Sequence, residues 1–233
     1  MADEPAPNLW KADDLVPGGR TLERVPRPPR SQIANGIVHL TGRGNRRQRI
    51  FVDGDDRLLF LYLLDELRRR HGWLGHAYCL MPNHYHVVVE TPHENLSAGM
   101  QWLNGRYAQA FNVRHALDGH LFQGRFHSVL VEGDWHLLEL SRYLALNPVR
   151  AGLCGRPEGW IWGSYRAVAG LGPARHFLTP GRVLALFGMD VRSARKRFKA
   201  YVNDANASTA SSPAAMSGVR PRAWPLGPGQ PAP

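Results

Sequence analysis

Two strongly apolar segments joined by a three-residue turn constrain the fold of this chain more than any other feature. Trp73–Leu80 and His84–Glu90 have the composition of buried strands, and Met81-Pro82-Asn83 between them has the composition of a tight turn. Strands joined by so short a connection pair antiparallel, because a parallel pair needs a long crossover. The chain is therefore predicted to contain an antiparallel sheet built around this hairpin.

Strand and helix patterns alternate on both sides of the hairpin. Strands are predicted at Ile37–Thr41 and Phe126–Val131, and helices at Asp55–Arg70, from Asn95 or Ser97 to about Arg114, and at Asp134–Leu146. Asn147-Pro148 is predicted to stop the third helix, because the residue before a proline disfavours the helical region. The order β-α-β-β-α-β predicts an α+β fold, a ferredoxin-like antiparallel sheet with one helix added.

Proline marks the ends of the folded part. Six of the 18 prolines fall in residues 1–31 and six in residues 205–233, and neither stretch has hydrophobic periodicity. Both stretches are therefore predicted to be disordered tails. Residues 32–170 are predicted to form the main domain. Helices near Pro180–Phe187 and Val191–Val202 make residues 171–204 a short, basic helical extension.

The positive charge lies mainly on the folded part. The chain has a formal net charge of +10; the balance in residues 1–31 is zero, and residues 205–233 carry only Arg220 and Arg222, which leaves +8 for residues 32–204. This excess indicates a polyanionic partner, either nucleic acid or acidic lipid. No apolar run reaches the roughly 18 residues of a membrane span. Two cysteines are too few for a disulfide framework, so we expect a cytoplasmic protein.

Two histidines open the second strand of the hairpin. His84 and His86 point to the same face, because side chains alternate along a strand, and they lie about 7 Å apart. Two imidazoles at this spacing can chelate one divalent ion. The alternative is that they are simply partly exposed sheet residues.

Tyr143 and Asn147 share a face of the third helical segment because they are four residues apart. A tyrosine oxygen can act as a nucleophile at phosphorus, and an asparagine carbonyl is a hard ligand for a magnesium-type ion. The alternative is a core tyrosine, among leucines, with its hydroxyl at the surface.

Basic residues form three candidate nucleic-acid contacts. The first set is Arg43, Arg46, Arg47 and Arg49; the second is Arg106, Arg114, Arg125 and Arg150; the third is Arg192, Arg195, Lys196, Arg197 and Lys199. The first set fits a phosphate-contacting loop. The third set fits either a grip on a hairpin stem or a solvated basic helix face.

The motifs taken together resemble a known family. They are RGNRRQRIF, HAYCLMPNHYHVVVETP, LSAGMQWLNGRYAQAFN, GHLFQGRFHSVLVE and LSRYLALNPVRAGL, in that order. This pattern closely resembles the REP-associated tyrosine transposases of the IS200-like Y1 transposase family, within the HUH superfamily. The resemblance spans residues 33–169, and the region to about Asn203 resembles the group's usual C-terminal extension.

The resemblance implies a role for each motif residue. His84 and His86 match the metal-binding His-hydrophobe-His motif, with Tyr85 in its middle position, and Asn147 matches a third ligand to Mg²⁺ or Mn²⁺. Tyr143 matches the catalytic nucleophile. The implied enzyme, a monomer or homodimer associated with the nucleoid, cleaves and rejoins single-stranded or hairpin DNA of REP type through a 5′-phosphotyrosine intermediate. Residues 32–170 would be its catalytic domain.

Two other functions fit parts of the sequence. An RRM-like nucleic-acid-binding module has the same element order and could stack bases on Tyr78 and Tyr85, although no RNP-type signature is present. A metal-dependent phosphoesterase could use His84 and His86 with a water nucleophile. The formation of a tyrosyl-DNA adduct distinguishes the transposase from both.

Overall fold

A computed structural model describes residues 36–204. The tails predicted at residues 1–31 and 205–233 lie outside the described residues. The strands are β1 (Gly36–Arg43), β2 (Leu74–Met81), β3 (His84–Thr91) and β4 (His127–Leu130). The helices are α1 (Gly54–His71), α2 (Leu96–His115), α3 (Gly133–Arg150), α4 (Tyr165–Val168), α5 (Pro180–Ala185) and α6 (Val191–Asn203), with 3-10 turns at Asn45–Arg47 and Pro157–Gly159. The division between a domain and an extension at residue 170 stays a prediction.

The four strands form one sheet in the order β2-β3-β1-β4. Every neighbouring pair is antiparallel, and the β2–β3 hairpin places Met81 opposite His84. With α1 between β1 and β2 and α2 between β3 and β4, this arrangement confirms the predicted α+β fold. Within the described residues, no helix is both long and apolar enough to cross a membrane.

Helices α1 and α2 cover one face of the sheet with an aromatic core. Tyr85 of β3 packs on Phe60 of α1, and Phe60 packs on Tyr107 of α2, with ring centroids 4.8 and 5.0 Å apart. All three side chains are fully buried. Gly42 of β1 makes room for them, because a Cβ there would lie 2.5 Å from the Tyr85 ring. Fully burying one such side chain stabilises the fold by roughly 1.5–3 kcal/mol.

Helix α3 covers the other face of the sheet, where α4, α5 and α6 join it. Leu137, Leu140 and Leu144 of α3 form a second cluster with Val88 of β3 and Phe198 of α6. Since side chains alternate along β3, His84 and His86 lie on the Val88 side of the sheet. The alternation therefore directs the two histidines toward the face that carries α3.

The end of the third helix differs from the prediction. Helix α3 continues through Asn147 and Pro148 to Arg150 instead of stopping at Leu146. Proline lacks an N–H, so α3 gives up one hydrogen bond, the one to the carbonyl of Leu144. The Pro148 ring is buried, and the carbonyl groups of Asn147 and Pro148 accept from Ala151 and Leu153 at 3.0 and 2.9 Å. Packing and these turn hydrogen bonds outweigh the local preference.

Candidate active site

The sheet and α3 bring His84, His86 and Tyr143 together. The His84 and His86 ring centroids are 5.0 Å apart, and the rings are nearly perpendicular. The Tyr143 ring meets His86 edge-on, with 5.7 Å between centroids. Residues from a strand and from a distant helix thus form one cluster.

The packing of α3 sets the position of Tyr143. Leu140 and Leu144, on either side of it in the sequence, are buried against the sheet, so Tyr143 is held half-buried at the edge of this contact. Asn147 follows one turn later on the same helix. Its amide nitrogen is buried and has no hydrogen-bond partner among residues 36–204.

Each histidine is held through its Nδ1 atom. Nδ1 of His84 lies 2.6 Å from Oδ1 of Asn83, whose amide nitrogen donates to the carbonyl of Arg47 at 3.2 Å. Nδ1 of His86 lies 3.0 Å from Nε2 of His39, and the two rings are stacked with centroids 5.2 Å apart. Both imidazoles of the motif therefore have a fixed orientation.

His39 is a site residue that the sequence analysis missed. It lies on β1 opposite Val88, and Thr41, two residues further along the same strand, lies opposite His86. Alternation along β1 and the β1–β3 register together put His39 on the histidine face. The spacing of histidines within one strand does not reveal His39, because the histidine that it contacts, His86, lies on another strand.

Burial dominates the electrostatics of the histidines. It lowers the pKa of His84 to about 4, with a smaller effect from Arg43, and the pKa of His39 to about 3, with smaller effects from His136 and His127. Burial also lowers the pKa of His86 well below its ordinary value, followed by the influence of His39 and His84. All three rings are therefore neutral near pH 7, the form that binds metal ions.

The pKa of Tyr143 is shifted upward, in contrast to the pKa values of the histidines. Burial raises the pKa of its phenol, while the nearby positive charge of Arg150 partly opposes this and the Cys79 thiol adds to it. The hydroxyl is therefore protonated at neutral pH and must lose its proton to become a nucleophile.

The side chains present fit a divalent ion. Nε2 of His86 is buried and has no hydrogen-bond partner among the described residues, so its lone pair is unused within this part of the chain. Residues 36–204 contain no group of three His, Cys, Asp or Glu side chains that could hold a metal. The ligands expected from the sequence are His84, His86 and Asn147; the last would contribute its amide oxygen, which exchanges with the amide nitrogen by a simple flip.

The first arginine set lies beside the histidines. Arg43 is the last residue of β1, directly opposite His84, and not part of the following loop as the sequence pattern suggests. The loop is fixed to the hairpin turn, because the N–H of Gly44 donates to the carbonyl of Asn83 at 2.9 Å and that of Ile50 donates to Pro82 at 2.9 Å.

The exposed arginines of this loop have an unusual backbone. Arg46 and Arg47 both adopt positive φ angles, 50° and 62°, which side-chain-bearing residues rarely adopt. Arg49 is exposed as well. Strain of this kind persists only where surrounding contacts enforce it, and it is concentrated at functional loops.

The other basic candidates have varied surroundings. Arg150 lies close enough to Tyr143 to influence its pKa. Arg114 instead pairs with Asp53 and Asp56 of the α1 N-terminus at 2.7 and 2.6 Å, so it is a link between helices. Arg106, Arg125 and Lys196 are exposed, Arg195 is half-buried, and Nε of Arg197 donates to the carbonyl of Phe187 at 2.5 Å.

Comparisons with known proteins identify the family and the fold. The profile of the family described as "Transposase IS200 like" matches residues 32–147, which include His84, His86, Tyr143 and Asn147. No curated protein sequence matches the chain. Among solved structures, a REP-associated tyrosine transposase bound to a REP hairpin matches with a TM-score of 0.52 and 21% identity over 63% of this chain and 88% of that chain. By the match of this profile across residues 32–147, this chain belongs to the IS200-like transposase family.

Proposed function

We propose that this protein cleaves and rejoins single-stranded, hairpin-forming DNA through a covalent 5′-phosphotyrosine intermediate on Tyr143. The observation that carries the proposal is the cluster in which the Tyr143 ring lies against His86, with His84 beside it. Membership of a transposase family supports action on DNA. The structural neighbour, bound to a REP hairpin, supports a hairpin as the form of the DNA.

Tyr143 performs the covalent step. Its Oη attacks the scissile phosphorus, the bond from phosphorus to the 3′ oxygen breaks, and a tyrosyl 5′-phosphate and a free 3′-hydroxyl result. The phenol proton leaves to solvent, and the departing oxygen takes up a proton. Attack by a 3′-hydroxyl on the phosphotyrosine reverses the step, so the phosphodiester energy is conserved and no nucleotide cofactor is needed.

His84, His86 and Asn147 are the proposed metal ligands. A bound Mg²⁺ or Mn²⁺ would polarise the phosphate oxygens as a Lewis acid. The neutral state of the two imidazoles and the unused Nε2 of His86 support this assignment. Arg43, opposite His84 on β1, and Arg150, near Tyr143, add positive charge to the cluster.

DNA affinity is assigned to the arginine loop. Arg46, Arg47 and Arg49 are exposed on a loop that is hydrogen-bonded to the turn bearing His84, so phosphates held there lie next to the site. Arg106, Arg125, Arg195, Lys196 and Arg197 are proposed as further backbone contacts. Contacts to phosphates make binding strongly dependent on salt.

The test is capture of DNA on the protein. Hairpin oligonucleotides taken from imperfect palindromes near the gene, labelled at the 3′ end, are incubated with Mg²⁺ or Mn²⁺ and resolved on a denaturing gel. Wild-type protein should retain the label, and Tyr143→Phe should lose it by more than about a thousandfold. The matched control is Tyr62→Phe, which changes an exposed tyrosine of α1.

The other outcomes identify the alternatives. Cleavage without an adduct would show a water nucleophile and a phosphoesterase. Salt-dependent binding without any cleavage would favour the RRM-like binding module. An adduct that persists in Tyr143→Phe would move the nucleophile to another residue.

A further inference from the structure

Both histidines of the motif use Nδ1 for a contact inside the protein, and the two partners differ. Asn83 of the hairpin turn contacts His84, and His39 of β1 contacts His86. We propose that Asn83 and His39 are positioning residues that hold His84 and His86 as their Nδ1–H tautomers, which leaves both Nε2 lone pairs for a metal ion. This inference rests on the metal site proposed above.

The hydrogen bonds of Asn83 fix the proton position on His84. The Asn83 amide nitrogen donates to the carbonyl of Arg47, which has no proton to give, so the amide oxygen faces His84. An amide oxygen only accepts hydrogen bonds. At 2.6 Å, Nδ1 of His84 must therefore carry the proton, and Nε2 is the unprotonated nitrogen of the neutral ring.

The contact between His39 and His86 allows two arrangements, and burial selects one of them. If His39 donated from Nε2, His86 would carry its own proton on Nε2, an atom that is buried and has no acceptor among the described residues. A buried donor without a partner is disfavoured, because no hydrogen bond replaces the one it would make to water. The favoured arrangement has the Nδ1–H of His86 donating to Nε2 of His39.

Two different elements thus produce the same result. Asn83 lies in the turn before β3, and His39 lies on the neighbouring strand β1, yet in the proposed arrangement both accept a hydrogen bond from an Nδ1–H group. Outer partners of this kind orient a metal-bound imidazole, and removing one typically weakens metal affinity 10- to 100-fold. His39 therefore acts through His86 and is not itself a ligand.

The first test needs neither metal nor DNA. Two-bond ¹H–¹⁵N spectra of uniformly ¹⁵N-labelled wild-type protein, recorded near pH 7 after metal removal, report the tautomer of each ring. His84 and His86 should both be Nδ1-protonated, and His39 should have an unprotonated Nε2. An Nε2–H tautomer on either His84 or His86 would overturn the inference for that residue.

The second test compares two side chains that differ in reach. Glutamine at position 39 can place an amide group where Nε2 of His39 lies, whereas asparagine is one methylene too short. Mn²⁺ binding, followed by the EPR signal of the free ion, should weaken 10- to 100-fold in His39→Asn and return to within about threefold of wild type in His39→Gln.

His76→Gln is the matched control. His76 is a buried histidine of β2, bonded to Glu90 at 3.1 Å rather than to the site, so its variant should bind Mn²⁺ as wild type does. Equal affinities of His39→Asn and wild type would refute the positioning role. If wild-type protein binds no Mn²⁺, the proposed metal site fails, while the tautomer spectra still decide the present inference.

Discussion

The two faces of the sheet differ in chemistry although they share the same strands. On the face covered by α1 and α2, Tyr85, Phe60 and Tyr107 pack ring against ring. On the face covered by α3, β3 presents His84 and His86. Because the side chains of a strand alternate, one strand supplies an apolar core on one side and the histidines of the proposed active site on the other. The aromatic face fixes the strand from which the histidines project.

The α3 face also contains a buried ion pair. Arg142 donates to both carboxylate oxygens of Glu139 at 2.8 and 2.6 Å, and the Tyr201 hydroxyl of α6 donates to Glu139 at 2.5 Å. The Arg142 guanidinium also lies 4.6 Å from the centre of the Tyr201 ring. This cluster ties α6 to the turn of α3 that precedes Tyr143, so polar contacts add to the apolar packing on this face.

The largest effect is expected on cleavage when a histidine of the site is changed, while DNA affinity is kept. His84→Ala should reduce cleavage by about 10²–10³-fold, the loss seen when one electrostatic stabiliser of a transition state is removed. DNA affinity should stay nearly unchanged, since it is assigned to arginines. Fluorescence anisotropy with a hairpin oligonucleotide at several salt concentrations measures this; a salt slope near zero would contradict phosphate contacts.

A change on the aromatic face should instead lower the stability of the fold and leave the chemistry of the site in place. Phe60→Ala removes a fully buried ring and should lower the free energy of unfolding by about 3–5 kcal/mol. The remaining folded protein should still form the DNA adduct. Urea denaturation gives the stability change; a loss below 1 kcal/mol would mean that this face is not the main core.

The buried cluster of α3 should give a smaller effect. Tyr201→Phe keeps the ring over Arg142 and removes only the hydroxyl that donates to Glu139, a hydrogen bond to a charged group worth about 1.5–3 kcal/mol. Urea denaturation at pH 7 should show a loss in that range. Tyr62→Phe, at an exposed position, is the control and should change stability by less than about 0.5 kcal/mol.

The smallest effect is expected at the surface link between α1 and α2. The hydrogen bond from Arg114, followed by backbone N–H groups at the start of α1, lowers the pKa of Asp53 to about 2. The carboxylate therefore contributes stability that is fully present above about pH 4, the unfolded value, and is lost as the pH falls toward 2.

Asp53→Asn isolates this contribution. Its melting temperature should lie below that of wild type at pH 7, and the two should converge as the pH approaches 2. A difference that is constant across this range would mean that the Asp53 charge is not its source.

Local patterns predicted most of the fold: the hairpin and the element order follow from alternation and turn residues. Alternation also puts His84 and His86 on one face, whereas the association of Tyr143 with them was implied only by the family resemblance. His39 and Asn83 could not be assigned, because their roles depend on the β1–β3 register and on atomic hydrogen bonds. The end of α3 was predicted wrongly, since tertiary burial of Pro148 overrides its local preference.

The link between Tyr201 and Glu139 has a consequence for the order of events during synthesis. The two residues are 62 positions apart, and α6 is the last described element to leave the ribosome. The helix that carries Tyr143 therefore obtains this contact only after the rest of the sheet and its histidines have been made. A nascent chain that lacks residues 191–203 already contains Tyr143 and the proposed metal ligands, but it lacks the hydrogen bond from Tyr201 to Glu139 and the proposed DNA contacts Arg195, Lys196 and Arg197.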